Sequence, residues 1–234
     1  MKSFDFVPET RFGVWFLGTE TWRVSVLQRA LNDLKRLLPE SGSAGGVVLD
    51  IGTGHGHSLV ELAQRFRPER LIALDPDPAM PRRAAERIAQ VSCPVEIRQA
   101  HAEYTGLPDA SIDLVFCHQT FHHIVDQEAA IAELYRVLRP GGWLLFAEST
   151  RKYIHSLPIR LLFRHPMHVQ KTSEEYLSLI VRAGFEVAPE RISYPYLWWS
   201  RTDIGAFEWF GFRVPERGSR EETLVNAVVR KPLG

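Results

Sequence analysis

Residues 47–56 read VVLDIGTGHG, an apolar run that ends in an acid and then passes into glycine at every second position: Gly52, Gly54 and Gly56. Such a stretch is a buried strand entering a turn almost free of side chains. Turns of this kind let backbone N–H groups close on a ligand at the start of a helix. The spacing also excludes something. The dinucleotide fingerprint G-x-G-x-x-G requires a glycine at position 57, and this chain has His57 there. An acid, Asp50, comes early, before the glycines rather than only at the next strand. The combination points away from a nicotinamide cofactor and toward a nucleoside with a charged amino-acid tail.

Reading outward, further apolar runs at 71–75, 95–99, 112–117 and 143–148 have the length of strands, and 186–194 and 223–230 close the series. Helical periodicity lies between them at 57–67, 78–90, 126–138 and 173–185. Strand and helix in alternation predict an α/β fold, a doubly wound, mostly parallel seven-stranded sheet covered on both faces. Ligands of such sheets bind beyond the carboxyl ends of the strands, where the glycine turn falls.

Two segments stand apart from this pattern. Residues 1–45 begin with aromatic residues (Phe4, Phe6, Phe12, Trp15, Phe16, Trp22) and continue as an amphipathic helix with Val24, Leu27, Leu31, Leu34 and Leu38 on one face. They are expected to form a cap, joined by the linker SGSAGG to a cofactor-binding domain over 46–234. Residues 150–172 hold five Lys/Arg, three histidines and no acid, and are expected to be a helical lid over the substrate. Three readings of its Arg151, Lys152, Arg160, Arg164 and Lys171 stay open: a site for a carboxylate or phosphate, a peripheral contact with anionic lipid in which Ile159, Leu161, Leu162 and Phe163 enter the interface, or a solvated face. His155, His165 and His168 have no acid or cysteine at ligand spacing, so no metal is expected.

Lys plus Arg equals Asp plus Glu at 28 each, which disfavours nucleic acid as a partner. The start, MKSFDFVPETR, lacks a signal-peptide core, and two cysteines make no disulfide framework, so a cytoplasmic location with reduced thiols is expected.

A second strand-end acid, Asp75, follows LIAL and precedes Pro76. A carboxylate there can accept both hydroxyls of a ribose. Together, DIGTGHG at 50–56, ALDPDPAM at 73–80, the segment 100–126 and LYRVLRPGGWLLFAES at 134–149 resemble the class I S-adenosylmethionine-dependent methyltransferases, in particular the quinone-biosynthesis and small-molecule group. The resemblance implies a Rossmann-like methyltransferase fold and S-adenosyl-L-methionine as cofactor. It implies that Asp50, Gly52, Thr53, Gly54 and Gly56 hold the methionine part and approach the ribose. Asp75 takes the ribose hydroxyls and Pro76 flanks the adenine. Ala102 and Glu103 lie along the adenine edge, and Cys117 and His118 line the floor near the sulfonium. The family's Gly-Asp before Ala-Glu is here Ala100-His101, and its Leu-Pro-Phe is Thr105-Gly106-Leu107.

Methyl transfer from a sulfonium needs alignment, exclusion of water and, for an oxygen or carbon nucleophile, removal of a proton. Neutral histidine suits the last task. His118, directly after the fourth strand, is the first candidate and His122 the second, with His123 behind them; for each, a structural histidine in a turn is the alternative. The sequence is thus read as a methyltransferase acting on an O, N or C atom of a small, largely apolar or aromatic acceptor held between the N-terminal segment and the lid. A non-catalytic S-adenosylmethionine-binding interaction protein and a nicotinamide-dependent oxidoreductase are the alternatives. Removal of residues 1–20 is expected to abolish acceptor binding and spare the cofactor.

Overall fold

A computed structural model of the chain describes residues 7–42, 45–196 and 216–234. Phe4 and Phe6, and the aromatic residues Trp198, Trp199, Trp209 and Phe210, lie outside the described residues.

Five parallel strands make the body of the sheet: β1 (Val47–Ile51), β2 (Arg70–Asp75), β3 (Val95–Gln99), β4 (Ile112–His118) and β5 (Leu138–Ser149). The two-residue β6 (Ile192–Ser193) pairs antiparallel with β7 (Leu224–Arg230), which in turn runs antiparallel beside β5. The order is β3-β2-β1-β4-β5-β7-β6, a mostly parallel sheet of seven strands as expected. The sixth strand is shorter than its apolar run. A 3-10 turn at Pro189–Arg191 interrupts it, since proline has no N–H for a ladder, and Glu186 keeps only an isolated bridge to Arg230.

The helices are α1 (Arg11–Leu17), α2 (Glu20–Trp22), α3 (Gln28–Leu37), α4 (His57–Phe66), α5 (Met80–Ile88), α6 (Gln127–Val137), α7 (Arg151–Ile154), α8 (Leu157–Leu162) and α9 (Ser173–Arg182). Their ends follow local chemistry. Asp126 accepts from Ala129 N–H to start α6, and Thr172 and Glu175 form a reciprocal capping box on α9. Alternation along the strands divides the core. Leu49, Ile51, Ile72 and Leu74 pack toward Leu134 and Ile180, while Val48, Leu71, Ala73 and Phe116 pack toward Leu31, Leu34, Leu59 and Phe66. Each fully buried Leu or Phe contributes about 1.5–3 kcal/mol, so both layers are needed.

The N-terminal helix belongs to the second layer. Leu27, Leu31, Leu34 and Leu38 are buried in it, but Val24 is 44 % exposed. The cause is a π-helical turn at Arg23–Leu27, whose extra residue rotates Val24 out of the apolar stripe. Glu61 on α4 fixes this helix, accepting from Arg23 and Gln28 at 2.7 Å each and from Arg65. Among the described residues, no helix is long and apolar enough to cross a membrane.

Candidate functional site

Strand order reverses between β1 and β4, and a cleft of about 260 Å³ opens there, over the carboxyl ends of β1, β2 and β4. The three turn glycines all have positive φ, but they serve different ends. A Cβ on Gly52 (φ +75°) would collide with the Thr120 hydroxyl, and one on Gly56 (φ +77°) would meet Ala84 Cβ on α5 at 2.9 Å. A Cβ on Gly54 would meet only Gly52 O, at 3.9 Å, and would otherwise enter the open cleft. Gly54 is therefore the point where a ligand can approach the backbone closely, and Gly56, absent from the cleft wall, sets how α4 meets α5.

Two buried acids flank the turn. Asp50 Oδ2 accepts from Thr53 Oγ1 at 2.7 Å and Ser58 Oγ at 2.6 Å, which ties β1 to the first turn of α4. Burial pushes its carboxyl up to about 6, against the pull of the Ser58 and Thr53 hydroxyls. Asp75 Oδ2 accepts from Gly54 N–H at 2.8 Å and its Oδ1 from Asp77 N–H at 2.9 Å. Burial raises this carboxyl too, while those backbone donors oppose the shift. Asp50, Thr53, Asp75, Pro76, Ala102 and Glu103 all line the cleft, as do His101 and His118.

Cys117 does not. It follows the strand alternation to the opposite face from His118, lies fully buried among the core side chains, and places Sγ 3.8 Å from Glu148 Oε1. Burial first, and the neighbouring carboxylates after it, push its thiol well up. The expectation that it lines the sulfonium floor is corrected: one strand end presents one side chain per face, and His118 takes the cleft side. The His118 ring stacks on Phe116 at 5.8 Å and meets Trp22 at 5.6 Å.

The outer wall comes from the N-terminus, with Val7, Pro8, Glu9, Val14, Leu17 and Trp22. It is hung from the glycine turn. His55 Nε2–H donates to Val14 O at 2.8 Å, and His57 Nε2–H to Gly18 O at 3.1 Å. Arg87 Nε donates to His57 Nδ1 at 3.0 Å, which settles the neutral tautomer. Burial, with the Arg87 charge, brings His57 down to about 4.

Beside the cleft lies a smaller chamber of about 90 Å³ that shares Trp22, His118, Gln119 and His123 with it. Its far side is Tyr153, Ile154, Ile159 and Phe163 from the 150–172 segment. Ile159 thus points inward rather than toward a lipid interface, whereas Leu161 is 72 % exposed. Phe163 meets Phe12 and Phe16 edge-on at 5.8 and 6.0 Å. Thr10 Oγ1 donates to Leu162 O at 2.6 Å, and Arg164 N–H to Glu9 Oε1 at 2.8 Å, so N-terminus and segment meet above the chamber. Two of the segment's cations face acids elsewhere, Arg151 toward Glu175 at 3.5 Å and Lys171 toward Glu128 at 3.8 Å.

His122 lines the chamber and not the cleft. Its Nδ1–H donates to Glu148 Oε2 at 2.6 Å, and Oε1 of the same carboxylate accepts from Thr120 and Phe121 N–H at 2.8 and 2.7 Å. The rings of His122, His123 and His165 lie 4.3–5.1 Å apart, and one ring nitrogen from each can lie within 4.8 Å of the others. His165 of the lid thus comes beside two histidines of the turn after β4. Burial lowers His123 well below its ordinary value and brings His165 to about 3.

Residues 49–146 match the family model described as "Methyltransferase domain". Over that stretch the chain is similar to methyltransferase domains. It is 37 % identical over 145 residues to a protein of Mycolicibacterium smegmatis named as an S-adenosylmethionine-dependent methyltransferase, covering 62 % of this chain and 53 % of that one. It is 31 % identical over 120 residues to the demethylmenaquinone methyltransferase of Deinococcus radiodurans, covering 50 % of each. The chain spans about half the length of the curated relatives it matches. In fold it resembles an S-adenosylmethionine-dependent methyltransferase of Aquifex aeolicus (TM-score 0.62, 20 % identity, 94 % of this chain and 97 % of that one) and the [4+2]-cyclase SpnF (TM-score 0.65, 19 % identity, 88 % and 81 %). The Mycolicibacterium smegmatis relative is named for its dependence on S-adenosylmethionine. The open approach at Gly54, with two buried carboxylates beside it, fits a ligand of that kind.

Sequence reasoning did not assign Glu148, His55, Trp22 or Thr120. Glu148 ends FAES and is a strand-end acid like Asp50 and Asp75, which was the available signal. The other three matter only through contacts between distant segments, and local sequence has no mark for those.

Proposed function

We propose that this chain transfers the methyl group of S-adenosyl-L-methionine to an O, N or C atom of a small, largely apolar or aromatic acceptor. The carrying observation is the shared wall: a chamber lined by Ile154, Ile159 and Phe163 opens beside the cleft across Trp22, His118 and His123. When bound, S-adenosylmethionine supplies an activated sulfonium methyl, and the protein's tasks are alignment, water exclusion and proton handling.

In this reading Asp75 binds the ribose hydroxyls. Pro76, Ala102 and Glu103 border the adenine. The Gly52–Thr53–Gly54 backbone and Asp50 border the methionine part. Segments 1–45 and 150–172 act as cap and lid, held together by the Thr10–Leu162 and Arg164–Glu9 bonds, and their aromatic rings exclude water from the chamber. His118 is the one of the two predicted catalytic residues that borders both spaces, so a ring nitrogen of His118 takes the acceptor's proton. His122 frames the chamber with its tautomer fixed by Glu148.

The test is a thermal shift with S-adenosylhomocysteine, followed by a panel of phenolic, quinol and amine acceptors. The wild type shifts with S-adenosylhomocysteine and not with NAD, and Asp75→Ala loses the shift. Preference for NAD, or an undiminished shift in Asp75→Ala, overturns the reading.

A further inference from the structure

We propose that His122, His123 and His165 form a binding site for a zinc-class divalent transition-metal ion, with its open coordination position turned to the chamber. The three rings come from two separate segments, the turn after β4 and the lid, and one nitrogen from each can lie within 4.8 Å of the others. A metal–nitrogen bond of about 2.0–2.1 Å in tetrahedral geometry asks for nitrogens about 3.3 Å apart, so the three rings close on the ion as it binds.

Three further observations mark the cluster as built. First, His122 gives Nδ1–H to the fully buried Glu148, at 2.6 Å, which leaves Nε2 as its ligand atom. A carboxylate behind a histidine in this way orients metal-binding imidazoles and raises their basicity. Second, His165 Nδ1 is shielded from solvent and has no hydrogen-bond partner among the described residues. Third, the buried side chain of Gln170 clamps the two segments together, its Nε2 donating to His122 O at 2.8 Å and to Pro166 O at 2.9 Å. The ligand-bearing backbones are thus fixed in each other's neighbourhood before any ion arrives.

Ligand chemistry selects the ion. Three imidazoles with no oxygen in the set suit zinc, cobalt, nickel or copper and do not suit magnesium or calcium. Three protein ligands, rather than four, leave one position for water or a ligand oxygen. His122, His123 and His165 all line the chamber, so that position is assigned to an oxygen of the acceptor. This last assignment rests on the methyltransferase reading; the metal site itself does not.

The experiment uses the full chain, stripped with a chelator and titrated with zinc chloride by calorimetry, then loaded with cobalt for its visible spectrum. One ion per chain is expected, with the bands of a four-coordinate site. His165→Gln and His123→Gln should each weaken zinc binding about tenfold or more. His165 lies off the cleft, so His165→Gln should keep the S-adenosylhomocysteine shift. Absence of saturable one-to-one binding, or unchanged affinity in both variants, overturns the site and assigns any bound zinc to scattered surface histidines. Azide added to the cobalt form should move its bands; unmoved bands overturn the open position. Zinc binding retained in a chain that ignores S-adenosylhomocysteine would instead break the functional reading and leave the site standing.

Discussion

His122 and Glu148 meet in a bond of 2.6 Å between side chains that are 4 % and 0 % exposed. The same carboxylate also holds the backbone of Thr120 and Phe121, so one group fixes both the tautomer of the histidine and the turn that carries it. Glu148→Ala would leave these donors buried without a partner and is expected to cost about 3–5 kcal/mol, read from urea unfolding. Glu148→Gln keeps the volume and one acceptor oxygen. It should cost less stability, yet lower kcat for the acceptor more than it changes cofactor affinity. Equal stability losses in the two variants would contradict this division.

The turn glycines give a contrast within one loop. Gly52→Ala adds a methyl where the Thr120 hydroxyl stands, on top of a left-handed backbone that costs about 1–2 kcal/mol for any L-residue. Gly54→Ala bears a similar backbone cost, at φ +54°, but its methyl enters the cleft. Gly52→Ala should therefore lose more in thermal stability. Gly54→Ala should lose proportionately more S-adenosylhomocysteine affinity, measured by calorimetry. Affinity lost equally in both would argue that no ligand approaches Gly54.

Deleting the N-terminus tests where the cap acts. The expectation that removal of residues 1–20 spares the cofactor does not suit the structure, since Val7, Glu9, Val14 and Leu17 wall the cleft itself. Truncation before residue 19 should weaken both S-adenosylhomocysteine and acceptor binding. Because α3 remains docked on Glu61 through Gln28, the folded core should persist by circular dichroism. Full cofactor affinity in the truncated chain would count against a wall contributed by these residues.

What the sequence disclosed and what it hid follow from range. Asp50, Gly54 and Asp75 were legible because strand ends and a turn are local objects, and parallel pairing then brings neighbouring strand ends together. For Cys117 the resemblance implies a place in the floor beside His118, but adjacent strand residues face opposite ways, and Cys117 turns into the core. Val24 misled because a π-helical turn has no signature in an otherwise regular apolar period. The histidine cluster was hidden for a different reason. His165 reaches His122 and His123 only after the lid folds back across the sheet, so spacing within the lid says nothing of it.

His57, the residue that breaks the nicotinamide fingerprint, supplies the last prediction. Its ordinary value is 6.5, and burial with the Arg87 charge lowers it to about 4 in the folded chain. Between these values the unfolded chain holds more protons at this position. Its contribution is thus fully present above about pH 6.5 and fades as pH falls toward about 4. Asp50 works in the other direction. Its carboxyl rises from 3.8 to about 6 on folding, so its contribution is present below 3.8 and lost as pH climbs through about 6. Urea unfolding from pH 7 to pH 4.5 separates the two. In His57→Gln, an amide can still donate toward Gly18 O and accept from Arg87, but it does not titrate, so stability should fall less steeply toward acid than in the wild type. In Asp50→Asn the opposing contribution disappears and the fall should steepen. Parallel curves for wild type and His57→Gln would show that the neutral imidazole does not hold the N-terminal wall against the glycine turn.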